Sequence, residues 1–157
     1  MTAVLGIDPG VNGGLALLRA DGAVAHVQGL RPEMTQIEVV AFVRVAVVIL
    51  KAHGSSVCYI EKVQHMTGDG GGGSFTFGGI NSLLRGALLM AEIVPRDVYP
   101  MAWQAAKESL TGGDKNISKA RAIELFPGQK ITHAVADALL IAEYGRRRMA
   151  AAAAQST

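Results

Sequence analysis

Two short apolar runs, each ending in a carboxylate, constrain this chain more than any other feature. Ala3-Val4-Leu5-Gly6-Ile7 runs into Asp8 and is stopped by Pro9-Gly10, and Val57-Cys58-Tyr59-Ile60 runs into Glu61. Runs of this length, closed by turn residues or a charge, read as strands. A third acid, Asp137, lies four residues after His133 in a helical pattern near the C-terminus. Its neighbours Val135, Ala136, Leu139 and Leu140 are apolar, and a carboxylate in such company costs stability unless it is paired. Strands that each deliver one carboxylate, with a late helix delivering another, supply the donors that a divalent-metal phosphoryl-transfer site needs.

The remaining pattern surrounds these runs with further strands and helices. Residues 15–18 follow an Asn12-Gly13-Gly14 turn, and Asp21-Gly22 turns the chain into 23–28. Three antiparallel strands therefore fill the N-terminal quarter. Residues 33–53 read as a helix with apolar positions Ile37, Val40, Ala41, Val47 and Val48 against polar Glu38, Arg44 and Lys51. Valine content keeps a strand reading open there, but the length favours a helix. Residues 68–74 are too glycine-rich to hold one backbone conformation without a partner. Beyond them, 80–92 reads as a helix, 93–99 as the fifth strand, and 100–110 as a short helix opened by Pro100. An amphipathic segment at 117–126 ends in Pro127-Gly128. Thr132 is the expected N-cap of a last helix running to Arg148, with Arg146-Arg147-Arg148 complementing its dipole. The order predicts a mixed sheet with helices packed on it, a single α/β domain over 1–149, and a frayed tail over 150–157.

Composition narrows the function classes. With 157 residues, half of them hydrophobic, the chain can bury a core and is not a disordered segment. Cys58 is the single cysteine, which excludes an internal disulfide and a cysteine-based zinc site. That fits a reducing compartment, the cytoplasm (of a host cell, if the gene is a phage's). The chain opens directly into a strand without a basic leader, and its longest apolar stretch, 39–50, contains Arg44 and is too short for a bilayer. No membrane partner is expected. The net charge of +2 permits nucleic-acid binding without requiring it.

Gly6-Ile7-Asp8-Pro9-Gly10 followed by Gly13-Gly14 resembles the opening of RuvC-type Holliday-junction resolvases, within the ribonuclease H-like superfamily. Ile60-Glu61-Lys62-Val63 is similar to their second motif, and Ala136-Asp137-Ala138-Leu139-Leu140-Ile141-Ala142 to their third. Ser74-Phe75-Thr76-Phe77-Gly78 and the segment from Lys119 to Pro127 resemble the bacteriophage-type branch. The resemblance spans residues 4 to about 145. It implies an α/β, ribonuclease H-like mixed five-stranded sheet with helices packed on both faces, and a homodimer. It also implies cutting of four-way DNA junctions with Mg2+ or Mn2+, two ions per subunit.

By the same resemblance, Asp8, Glu61 and Asp137 fall on the metal-binding carboxylates. The family often has an aspartate three or four residues before the last of them, where this chain has Ala134 and His133. His133 is one helical turn from Asp137 and can reach the same ion, and imidazole suits manganese better than magnesium. Asp8 is the candidate bridge between two ions, with Glu61 on one side and His133 and Asp137 on the other. Lys119 aligns with a lysine near the scissile phosphate and Lys107 with a second phosphate-contacting lysine, for which Lys115 is a close rival. Gln64 stands where the family carries a base-unstacking aromatic. Phe75 or Phe77 could replace it from a mobile loop, or both could pack into the core.

Three rivals to this reading remain. One is a related nuclease acting on other DNA or RNA structures, and another is a junction-binding module without a working metal site. An actin-like kinase could use an Asp-x-Gly phosphate loop, but that architecture needs two related domains.

Overall fold

The computed structural model describes residues 2–54, 56–62, 71–106 and 114–155, with the backbone alone for 71–77 and 106. The described strands form one five-stranded sheet in the order β3-β2-β1-β4-β5. β1 (Ala3–Asp8), β2 (Gly14–Leu18) and β3 (Val24–Gly29) are the expected antiparallel meander. β4 (Ser56–Glu61) returns parallel to β1, and β5 (Arg96–Val98) lies parallel to β4. Between β3 and β4 runs α1 (Gln36–Ala52), and between β4 and β5 runs α2 (Gly71–Met90). After β5 come α3 (Pro100–Ala106), α4 (Lys115–Leu125) and α5 (His133–Ala154).

Two apolar cores lie on opposite faces of the sheet, and the period-2 alternation of strands sorts residues between them. In β1, Leu5 and Ile7 join the core with α1 and α2, while Val4 joins the core with α5. In β4, Cys58 and Ile60 point to the α1–α2 side and Tyr59 to the α5 side. Buried Cys58 has its thiol pushed up to about 12 by loss of solvent. The same alternation carries Gly6 and Asp8 of β1, and Glu61 of β4, to the α5 face.

α5 sits directly on β1 and β2 because small residues allow it. A Cβ at Gly6 would overlap the backbone of Ala138 and Ala142, and one at Gly14 would overlap the carbonyl of Ala134. Ala134, Ala138 and Ala142 recur every four residues, so one smooth helical ridge rides on two glycines.

Several elements differ from expectation. α1 is capped by a reciprocal Thr35–Glu38 box. Its buried stripe is Val39, Val43, Ala46, Val47 and Leu50, and of the five apolar positions that mark the helical pattern in the sequence only Val47 is buried. Ile37 and Val48 are 81% and 69% exposed, because this helix is apolar on more than one side and periodicity could not choose which side meets the sheet. α2 starts at Gly71, inside the glycine stretch expected to be a loop. Extending a helix already anchored by buried Leu84 and Leu88 is cheaper than nucleating one. β5 is shorter than the 93–99 run, since α2 closes with Glu92 in the left-handed region (φ 63°) and the chain becomes extended only afterwards.

α5 continues to Ala154, through alanines expected to fray, and alanine is the best helix former. Thr132 is its N-cap residue but makes no side-chain cap bond. The arginines expected at its end lie inside it instead. Arg146 Nε and Nη2 donate to buried Glu143 at 2.6 and 2.9 Å, and Arg147 Nε at 2.7 Å. Among the described residues no helix is long and apolar enough to cross a membrane.

Candidate active site

β1 and β4 are parallel, with Ile7 paired to Ile60. One step further along both strands stand Asp8 and Glu61, so two carboxylates leave the same edge of the sheet towards the same face. α5 begins over that edge. Asp137 is on its second turn, one residue before Ala138, whose backbone lies against Gly6. Strand register and helix seating together bring three acids, 129 positions apart at the extremes, into one electrostatic neighbourhood.

The field they share is visible in their protonation. Burial pushes Asp8 up to about 6, aided by the charge of Asp137 and opposed by the Gly10 N–H and the charge of Lys115. Glu61 is pushed up to about 7, first by burial and then by the charges of Asp8 and Asp137, against Trp103 and Lys115. Asp137 is raised by burial, against Ser118, Lys115 and His133. Desolvation disfavours the charged form of a carboxylate, and a like-charged neighbour adds to it.

Among the described residues a neutral donor holds each carboxylate. The Gly10 N–H donates to Asp8 Oδ1 at 3.0 Å, the Trp103 indole N–H to Glu61 Oε1 at 2.9 Å, and the Ser118 hydroxyl to the Asp137 carboxylate. Asp137 Oδ1 is buried with no hydrogen-bond partner among the described residues. Such an atom in a native fold calls for an explanation, and an absent cation is one. Among the described residues no three His, Cys, Asp or Glu side chains form a closed chelating cluster. The carboxylates are within reach of each other's charge. Oxygen-only donors from Asp8, Glu61 and Asp137 fit a hard divalent cation, and the orphaned oxygen fits a missing ligand bond.

His133, the first residue of α5, is exposed, and its charge lowers the pKa of Asp137. Lys115, the first residue of α4, is the cation whose charge favours ionisation of all three acids. Lys119 is half-buried one turn further along α4. Lys107 and Gln64 lie outside the described residues, as do the side chains of Phe75 and Phe77. The backbone at Phe75 and Phe77 is helical rather than part of a loop. Sequence reasoning missed Trp103 and Ser118. A buried tryptophan seeks a partner for its N–H and a buried serine for its hydroxyl, but one sequence does not reveal which carboxylates they meet.

No protein-family model matches the chain, and no curated protein matches it in sequence. Solved structures do match. Thermus thermophilus RuvC in complex with Holliday junction substrate superposes with a TM-score of 0.70 at 18% identity, over 95% of this chain and 96% of that one. A second Thermus thermophilus RuvC structure gives a TM-score of 0.67 at 19% identity, over 94% and 96% of the two chains. The chain has the ribonuclease H-like fold of these neighbours: a mixed five-stranded sheet covered by helices on both faces.

Proposed function

We propose that this protein is a structure-selective endonuclease that hydrolyses phosphodiester bonds of four-way or otherwise branched DNA, using divalent metal ions. The observation that carries the proposal is the meeting of Asp8, Glu61 and Asp137 on one face at one sheet edge, with an Asp137 oxygen left unpartnered. The fold shared with a RuvC bound to a Holliday junction supports the choice of substrate.

Asp8, Glu61 and Asp137 hold the ions, and His133 is the fourth donor beside Asp137. Two bound Mg2+ or Mn2+ ions supply an activated water and charge stabilisation of the leaving oxygen. The chain's own groups prepare that chemistry. Burial makes the three acids costly to ionise alone, so they favour a cation over bulk water. The donors on Asp8, Glu61 and Asp137 fix carboxylate orientation before a ligand arrives. Lys115 faces the same cluster and offers a point charge to a phosphate oxygen, with Lys119 and Lys107 extending the phosphate contacts.

Resolving a junction takes two symmetric cuts, which a twofold dimer provides. The α1–α2 side offers a surface for it. Ile37, Val45 and Val48 of α1 and Leu89 and Met90 of α2 are exposed, and Val40, Arg44, Leu83, Gly86 and Ala87 line a groove between the helices.

The test is cleavage of a four-way junction, a linear duplex and an RNA–DNA hybrid, each with Mg2+ and then Mn2+. Metal-dependent cutting of the junction well above the other substrates is expected. Cutting of the hybrid or duplex alone would assign a different nuclease, and junction binding without cutting would assign a binding module.

A further inference from the structure

Trp103 stands apart from the other large core residues. It is 1% exposed on α3, packed in the α5-side core, and is the only tryptophan in the chain. Its indole N–H does not turn to a backbone carbonyl but donates to Glu61 Oε1 at 2.9 Å. The side chain that receives it ends β4 and is half-buried. Indole donates only, so the bond can form only with an acceptor and leaves the second oxygen, Oε2, for another ligand. α3 is itself tied to the strand end before it, since the Ala102 N–H donates to the Tyr99 carbonyl at 3.0 Å.

We infer that Trp103 is a positioning residue for metal binding: its indole N–H holds one oxygen of Glu61 so that the other faces the ion site. The inference rests on the metal-dependent reading given above. An outer-shell donor of this kind orients a ligand that would otherwise sample several rotamers, and its loss typically costs about 10–100-fold in metal affinity. The bond also couples the indole to the ligand's charge. A cation on Glu61 withdraws electron density from the carboxylate that Nε1–H addresses, so the emission of Trp103 reports occupation of the site.

Two measurements test this on the full chain. Calorimetric titration with Mn2+ compares the parent with Trp103→Phe, which keeps an aromatic ring and removes the donor. The variant is expected to bind Mn2+ about tenfold or more weakly. Its junction cleavage should need correspondingly more metal for half-maximal rate, while the rate at saturating metal falls far less. A purely packing role would lower the melting temperature of the metal-free variant and leave its Mn2+ affinity at the parent value, which overturns the inference alone.

The second measurement needs no change at Trp103 and decides the matter if the variant does not fold. Emission of the parent is followed during Mg2+ titration, with Asp137→Asn as the control. A saturable change at the metal concentration that supports cleavage, reduced in the control, is expected. Flat emission in a parent that binds Mg2+ by calorimetry would overturn the role of Trp103 and leave the nuclease reading standing. A parent that binds neither ion and cuts no junction would remove that reading and the role of Trp103 with it.

Discussion

Gly6 of β1 lies so close beneath Ala138 of α5 that a single methyl group at Gly6 would collide with the helix backbone. The contact is one residue from Asp137 in sequence and two from Asp8, so it sets the separation of two of the three acids. Gly6→Ala is expected to destabilise the fold by about 1–3 kcal/mol through overpacking, lowering the melting temperature by roughly 2–12 °C. Cleavage by the fraction that remains folded should also fall. Differential scanning calorimetry beside single-turnover cleavage reads both effects, and a fully active, equally stable variant would contradict the seating of α5.

Asp8 is the most buried of the three acids and has its Oδ1 held by Gly10. Asp8→Asn keeps the shape and one acceptor but loses the charge that binds a cation. Cleavage should drop by on the order of 10³-fold or more. Junction affinity should stay near the parent value, because it rests on distributed phosphate contacts. Gel-shift and cleavage assays on one junction separate these quantities, and equal turnover would remove Asp8 from the site.

Stability without metal should depend on pH in an unusual direction. The folded pKa values of Asp8 and Glu61, about 6 and about 7, lie above ordinary carboxylate values. Between about pH 4 and 7 the folded chain therefore holds protons that the unfolded chain has released, and stability falls as pH rises through that window. For Asp8 alone the loss is on the order of 3 kcal/mol. In chelator, the melting temperature should decline from pH 5 to pH 8. Added Mg2+ should raise it more at pH 8, where the acids are ionised, than at pH 5. Flat melting behaviour in chelator would contradict the burial of these charges.

His133 is exposed at the start of α5, one turn from Asp137. His133→Asp replaces a nitrogen donor by oxygen and should move the preference from Mn2+ towards Mg2+, raising the Mg2+-to-Mn2+ activity ratio severalfold. The ratio of cleavage rates in the two metals measures it. An unchanged ratio would exclude His133 as a ligand.

Exposed Val48 lies on the outer side of α1, with Val45 near it and Ile37 towards the helix start. Val48→Glu should convert a dimer into a monomer, since a buried unpaired charge opposes association by several kcal/mol. Light scattering with and without junction DNA gives the mass directly. A parent that is monomeric in both conditions would count against the twofold assembly.

Much of the site is legible in the amino-acid sequence itself. Asp8 and Glu61 stand out because turn residues or a charge cut short an apolar run, and Asp137 because it interrupts an apolar helix face. Their meeting follows from the parallel pairing of β1 with β4, which the crossover through α1 permits. The inner face of α1 is not legible, because Ile37, Val45 and Val48 are as apolar as Val39, Val43 and Leu50, and only the sheet decides between them. Trp103 and Ser118 escape sequence reasoning for a related cause. Their bonds span 42 and 19 positions, and local periodicity carries no information about such distant partners.

The sheet divides the molecule into two compartments with different tolerances. Lesions behind it, such as trimming Leu50 or Leu88, loosen the fold yet leave the carboxylates of each surviving molecule where they were. Damage in front, around Ala138, Ala142 or Trp103, disturbs folding and the placement of the carboxylates together. The rear wall can thus be remodelled while the face that carries the three carboxylates is left unchanged.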